Sequence, residues 1–385
     1  MQKTLTRDFI LSFFAQLSFA SVFCILIPTI PIYLSKFQAK ESEIGILVGI
    51  FSVSSLILRP LVGRALLTIP EKTFMAFGAI IYVASSFTYI FASPFWPLLF
   101  LRIFHGVGLA LFSTASFTFI ANISPPAQRG QTLTYFTLSM NLSWALGPFF
   151  GMLLINHFGF QVMFLVCGGL SLASLLMATK LTKRKITTET PPPSTQSFLS
   201  RPALPFAFVA FILSAIWGSL SAFFPLYALI HGVSNPGIFF IFLAGTTFLS
   251  RVFFPKTADK YGRKQVILPC LVIVVLSISI IPLSKTLVMF ILSAIFLGTG
   301  WSFLYPSLMA LAVDRAGSAQ GPAMGTFTAL MDLGGGVGPM IMGIILEWTN
   351  YPIMFSSLVL TSVINLIFFY FVIWKSEDKA QRQRV

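Results

Sequence analysis

Apolar residues run along this chain in blocks of roughly 20, each closed by a polar break, and a helix of that length crosses a hydrocarbon core of about 30 Å. The short alternating segments of a membrane barrel are not seen. The blocks predict twelve spanning helices, at 9–34, 43–66, 72–92, 95–121, 129–156, 160–180, 203–230, 236–256, 264–284, 287–313, 320–347 and 351–374. In lipid a helix satisfies its own backbone hydrogen bonds, which makes it the expected form of each block. The first block begins near Phe9 without a small-residue cleavage site, so it reads as a retained helix and not a signal peptide. The longest polar break, 181–202, holds Lys183-Arg184-Lys185 and Pro191-Pro192-Pro193, the composition of a linker. The expectation is an all-α membrane protein of two pseudo-symmetric six-helix bundles, 1–180 and 203–374. Residues 181–202 would form a cytoplasmic linker and 375–385 a cytoplasmic tail.

The two halves repeat one another at an offset of 191 or 192 residues. Arg59 falls on Arg251, Gly45 on Gly237, and Ile103–Gly108 on Ile295–Gly300. The stretch Gly130–Pro148 matches Gly321–Pro339, with Phe136/Phe327, Thr137/Thr328, Met140/Met331, Gly147/Gly338 and Pro148/Pro339 in register. Apolar helices resemble one another by chance, but chance does not place glycine, proline and arginine in register across several elements. Six-span repeats joined by a linker build transporters whose site lies at the repeat interface.

Charge and composition sharpen this picture. Only 9% of the 385 residues are charged, against about 25% in soluble domains, and the net charge is +14. With a cytoplasmic amino terminus, all of the 25 lysines and arginines except Lys36, Lys40, Lys285 and Arg102 fall on the cytoplasmic side. That is the positive-inside bias, so the basic balance requires no nucleic-acid partner. The three cysteines lie in three separate apolar blocks, which suggests neither a disulfide framework nor a metal site. No paired carboxylates, nucleophile triad or zinc spacing marks an enzyme, and no cofactor is expected.

Two charged residues stand out. Asp332 is the one acid of eleven that lies deep within a predicted span, about 12 residues or ~18 Å in. Its repeat mate is Asn141. An intramembrane carboxyl group is a functional candidate by default, as a proton carrier or a cation ligand. Arg102 lies near the start of the fourth span, where it either faces the bundle interior or snorkels to the interface. His105 follows three residues later on the same face.

Several motifs give the chain a resemblance to the major facilitator superfamily over essentially its whole length. That family carries Gly-x-x-x-Asp-x-x-Gly-Arg-Lys/Arg after spans 2 and 8. The second copy here is Asp259-Lys260-Tyr261-Gly262-Arg263-Lys264, with Pro255 for the first glycine. The first copy begins Arg59-Pro60-Leu61-Val62-Gly63-Arg64 but has Leu67 for the acid and Pro70-Glu71-Lys72 at its end. Leu101-Arg102-Ile103-Phe104-His105-Gly106-Val107-Gly108 resembles a second signature. Gly147-Pro148-Phe149-Phe150-Gly151, preceded by Ser143, approximates the antiporter pattern Gly-x-x-x-Gly-Pro-x-x-Gly. Gly334-Gly335-Gly336-Val337-Gly338-Pro339 repeats that theme.

The resemblance implies the twelve-helix major facilitator fold and a proton-coupled exporter of small amphipathic compounds or metabolites. The alternatives are a proton-independent facilitator or importer of a small organic solute or lysolipid, and a non-transporting scaffold or sensor. The acidic residue often found upstream of Pro28-Thr29-Ile30-Pro31-Ile32-Tyr33 is missing, which departs from a standard multidrug pump. By the resemblance, Asp332, Arg102 and His105 would couple protons. Asn141, Gln16, Tyr33, Trp144, Trp217, Tyr227 and Trp301 would line the substrate path. Arg59, Gly63, Arg251, Asp259, Gly262, Arg263, Gly147, Pro148, Gly338 and Pro339 would control the conformational change, with Asp259 latching near Arg129 and Gly130. The expected partners are a small solute, protons and membrane lipid. A monomer in a bacterial inner membrane is expected, with both termini cytoplasmic.

Overall fold

The computed structural model describes residues 6–92, 95–125, 128–182, 200–254, 261–317 and 320–375. Their regular structure is helical throughout: α1 Arg7–Ser35, α2 Glu41–Ala65, α3 Glu71–Thr88, α4 Trp96–Ile123 and α5 Arg129–Thr179, then α6 Leu204–Ile230, α7 Gly237–Phe253, α8 Arg263–Ile280, α9 Leu287–Ala316, α10 Gln320–Trp348 and α11 Tyr351–Phe368. A π-helical turn, Phe369–Trp374, prolongs α11. The boundaries lie within about four residues of those predicted.

Among the described residues nine helices are long and apolar enough to cross a membrane. One of them, α5, is 51 residues long and supplies two spans. It breaks at Gly159, whose φ of +80° is a backbone state glycine enters without the Cβ penalty. The shorter α3 and α7 complete the twelve expected segments. Side-chain caps open two of the helices: Thr6 accepts from the Phe9 amide and Asn350 from the Ile353 amide.

The chain divides into two compact units, one of Met1–Ala39 and Ile50–Pro192, the other of Lys40–Gly49 and Pro193–Val385. In the first unit α1 packs along α5, and α3 packs against α4 and α5. In the second, α6 packs along α10, and α8 and α7 pack against α9. The pairing α1–α5 thus recurs as α6–α10, and α3–α4 recurs as α8–α9, the order an internal repeat requires.

Glycines set the closeness of these pairs. A Cβ on Gly147 would meet the Cys24 side chain, and one on Gly338, its repeat mate, would meet the Ala215 carbonyl. Cys24 and Ala215 are themselves 191 residues apart. Gly106 presses on the backbone of Phe51 and Gly298 on that of Leu243; Gly108 lies 3.1 Å from the Gly78 carbonyl and Gly300 2.9 Å from that of Cys270, measured from an added Cβ. The register found in sequence is therefore the register of packing.

Candidate functional site

The first unit holds a buried polar cluster between α3 and α4. Arg102 is 5% exposed and His105, Tyr82 and Tyr89 are fully buried. Their helices bring them together because Arg102 and His105 share one face of α4, while Tyr82 and Tyr89 lie two turns apart on α3 and its cap. The Arg102 guanidinium lies 4.6 Å from the Phe51 ring centroid and hydrogen-bonds Tyr89. The Tyr89 hydroxyl is 3.3 Å from His105 Nδ1. The His105 ring is held edge-on between Tyr82, at 4.0 Å, and Phe51, at 5.4 Å. His105 Nε2 and the Tyr82 hydroxyl have no hydrogen-bond partner among the described residues. Arg102 thus points into the bundle, and snorkelling to the interface does not describe it.

Around this cluster lie other residues singled out from sequence. Phe23 stacks on Phe51 at 5.0 Å and meets Trp144 edge-on at 5.5 Å, so an aromatic path links Trp144 to Arg102. Gln16 is buried and accepts from Ser116 at 2.9 Å. Tyr33 packs among Phe37, Phe160 and Phe164. Asn141 is exposed on α5.

The second unit places its candidates differently. Asp332 is partly exposed on α10, one turn before Gly335. A Cβ on Gly335 would lie 3.2 Å from the Ser214 hydroxyl, which hydrogen-bonds Tyr305. Tyr305 packs on Trp301 at 5.6 Å, Trp301 on Trp217 at 5.9 Å, and Trp217 on Phe240 at 6.0 Å. Tyr227 is buried among Phe290, Tyr351 and Phe355 with its hydroxyl facing the Pro282 and Ser284 carbonyls. Arg102 and His105 therefore belong to one unit and Asp332 to the other.

Of the conformational residues, Arg251 Nε donates to the Ser302 carbonyl at 3.1 Å. Gly262 has φ +88° at the start of α8, a position suited to glycine. Arg263 pairs with Asp314, and Lys264 donates to the Trp374 carbonyl at 2.7 Å while lying over the Trp374 ring. Arg59 is half-buried, Gly63 and Leu67 are exposed, and Pro148 and Pro339 are buried. Asp259, and with it the expected latch, residues 183–199 of the linker and all but the first residue of the tail lie outside the described residues.

Sequence reading missed the first unit's counterpart of the Arg263 pair. Glu71 is buried and accepts from Asn122 at 2.6 Å, and Lys72 donates to the Leu181 carbonyl at 2.7 Å. The offset that aligned the glycines also aligns Glu71 with Arg263, Lys72 with Lys264 and Asn122 with Asp314. Extending it to polar residues would have found both anchors. Tyr82 and Tyr89 were missed as well, because a tyrosine in an apolar block gives no sign of the helix face it will share.

Comparison with known proteins agrees with this architecture. The family model described as Major Facilitator Superfamily matches residues 9–319 and 237–385. Multidrug resistance protein 2 of Bacillus subtilis is 23% identical over 370 residues, covering 92% of this chain and 91% of that protein. Quinolone resistance protein NorA of Staphylococcus aureus is 25% identical over 337 residues, covering 84% of this chain and 86% of its own. The crystal structure of nucleoside transporter NupG superposes with a TM-score of 0.77 at 15% identity, over 95% of this chain and 98% of that one, a likeness of fold.

Proposed function

Because the chain belongs to the Major Facilitator Superfamily, and so is a membrane transporter and not an enzyme, we propose that it is a proton-coupled exporter of small amphipathic organic compounds or metabolites, working by alternating access between its halves. The observation that carries this reading is Asp332, a carboxyl group in the glycine-rich part of the apolar helix α10, one turn before Gly335, which packs on Ser214. A carboxyl group at that depth is retained at a cost in insertion energy, and exchange of a proton there changes the charge that lipid and helices must accommodate. Efflux is favoured by the resistance proteins of similar sequence. The aromatic groups Trp217, Trp301 and Tyr305 suit a solute with flat apolar surface. Proton binding and solute binding are linked only if each ligand prefers a different state of the protein. The Arg102–His105 cluster supplies the second polar site for that linkage. The lysine and arginine distribution supports a cytoplasmic position for both termini, and the proposed setting is a monomer in a bacterial inner membrane.

The test is proton flux in liposomes loaded with a pH-sensitive dye, screened with amphipathic organic cations and small metabolites. Solute-driven flux in the native protein that vanishes in Asp332→Asn is the expected result. Solute movement without proton flux, unchanged by the substitution, overturns the coupling and leaves a facilitator.

A further inference from the structure

We infer that Tyr89 is a positioning residue that fixes the tautomer of His105, directing the imidazole proton to Nε2 and away from Arg102. A guanidinium carries N–H donors and no acceptor, so in the Arg102–Tyr89 hydrogen bond the phenol oxygen accepts. The one hydrogen of the phenol is then left for its other polar neighbour, His105 Nδ1, at 3.3 Å. A neutral imidazole that accepts at Nδ1 carries its proton on Nε2. The opposite direction, with Nδ1–H donating to Tyr89, gives the phenol oxygen two donors and leaves its own hydrogen buried without an acceptor. Buried polar groups are overwhelmingly paired. The first arrangement leaves one group of this pair unpaired, Nε2–H, where the second leaves two, the phenol hydrogen and the Nε2 lone pair, so the first is favoured.

Packing leaves these rings little freedom to choose otherwise. Tyr89 is stacked on Phe164 at 5.2 Å with an interplanar angle of 12°, and His105 is wedged between Tyr82 and Phe51. The result is a directed chain, Arg102 to Tyr89 to His105, ending in an Nε2–H that has no acceptor among the described residues, beside the equally unpartnered Tyr82 hydroxyl. A hydrogen-bond acceptor brought to this place, a water molecule or a polar atom of a transported solute, would meet two unsatisfied groups.

The second unit shows that the fold does not need this chain of groups. At the same register Tyr82, Tyr89, Arg102 and His105 are replaced by Val274, Ile281, Ala294 and Leu297, all buried. The surrounding close approaches, Gly106 on Phe51 and Gly298 on Leu243, are the same in both units. One backbone arrangement thus packs with four apolar residues or with four hydrogen-bonding ones. The polar set is an addition to the fold.

A proton delivered to His105 would have to enter at Nδ1, and it would require the Tyr89 hydroxyl to turn its hydrogen elsewhere. The titratable groups around His105 are Arg102 on its own helix and Tyr82 and Tyr89 from α3, with Cys24 of α1 beside Tyr82 and Cys167 of α5 beside Tyr89. The tautomer assignment stands apart from transport. Only its consequence for flux rests on the proton coupling proposed above.

The experiment uses the full chain, whose three histidines make selective nitrogen-15 labelling simple. With His157→Gln and His231→Gln, the imidazole resonances of His105 are read alone at pH 8 in lipid. The expected result is one tautomer, protonated at Nε2. Protonation at Nδ1 overturns the inference without any change at Tyr89, so the test survives a Tyr89 variant that fails to fold. In Tyr89→Phe the single-tautomer pattern is expected to be lost, whereas Tyr82→Phe retains it; an unchanged pattern in Tyr89→Phe overturns the positioning role. In liposomes Tyr89→Phe is expected to shift the pH profile of solute-driven proton flux. A native protein that shows no proton flux but the Nε2–H tautomer rejects the coupling and keeps the tautomer lock, which separates the two failures.

Discussion

The two units repeat each other's backbone while differing in what they bury. Both start the third helix of the bundle with a charged residue bonded to the end of the fourth: Glu71 to Asn122, and Arg263 to Asp314, each pair 51 residues apart. Both follow it with a lysine reaching a carbonyl at the end of the sixth span, Lys72 to Leu181 and Lys264 to Trp374. The geometry is kept and the charges are exchanged, so these anchors serve the bundle through their positions and tolerate several chemistries. In the interior the exchange goes further. The first unit buries Arg102, His105, Tyr82 and Tyr89 where the second is apolar, and the second carries Asp332 where the first has Asn141. Duplicated packing with unshared polar groups separates what the fold requires from what was added to it.

The largest effect is expected where the shared packing is tightest. A Cβ at Gly338 collides with the Ala215 backbone, and one at Gly147 with the Cβ and backbone of Cys24. Neither a backbone nor a Cβ fixed to it can turn aside, so Gly338→Ala and Gly147→Ala should each lose about 1–3 kcal/mol, near the cost of overpacking. Gly63, with nothing within 4 Å of an added Cβ, should accept alanine without loss despite its place in the motif. Thermal unfolding in detergent checks all three. A loss at only one of Gly147 and Gly338 would show that the two seams do not share their closeness.

Copying one unit's interior into the other comes next. His105→Leu installs the residue that its mate Leu297 already provides. It removes the unpartnered Nε2 but leaves the Tyr89 hydroxyl without its acceptor, so the two polar terms oppose each other. With side chains of similar volume the stability change should stay under about 1.5 kcal/mol. Solute-driven proton flux should fall all the same. A large drop in melting temperature would mean that His105 holds the fold, and the polar set would then be structural.

Much of this was legible in the chain itself. The apolar blocks gave every helix to within a few residues, because lipid demands length and hydrophobicity before anything else. Gly147, Gly338, Pro148 and Pro339 announced the repeat, because close helix contact admits few other residues. The polar cluster was only half legible. Arg102 and His105 stood out as charge in an apolar helix, but Tyr82 and Tyr89 come from α3, and which face of α3 meets α4 is fixed by packing across the whole unit. Asn122 and Asp314 were overlooked for a simpler reason: polar residues at a helix end are ordinary, and only their shared offset makes them informative.

The anchors give smaller effects. Asn122→Asp places a second carboxylate against Glu71, in imitation of Asp314 without its arginine. It should cost about 1 kcal/mol, and the double variant Glu71→Arg with Asn122→Asp should recover it by rebuilding the second unit's pair. A double-mutant cycle on melting temperature reads that coupling, and purely additive losses would show that the two anchors are not interchangeable.

The finest distinction lies between the two lysines. Each donates to carbonyls that a helix end leaves without an intrahelical donor, an interaction of about 0.3–1 kcal/mol. Lys264 has a second interaction that Lys72 lacks, because its ammonium lies 4.7 Å from the Trp374 ring centroid, where a cation over an indole face adds about 0.5–1 kcal/mol. Lys264→Ala should therefore destabilise the protein by roughly twice as much as Lys72→Ala. Trp374→Leu keeps the carbonyl but removes the ring, and it should bring the cost of Lys264→Ala down to that of Lys72→Ala. If the Lys264 effect is unchanged by loss of the indole, the ring contributes nothing, and any excess of Lys264 over Lys72 does not come from the cation–ring contact.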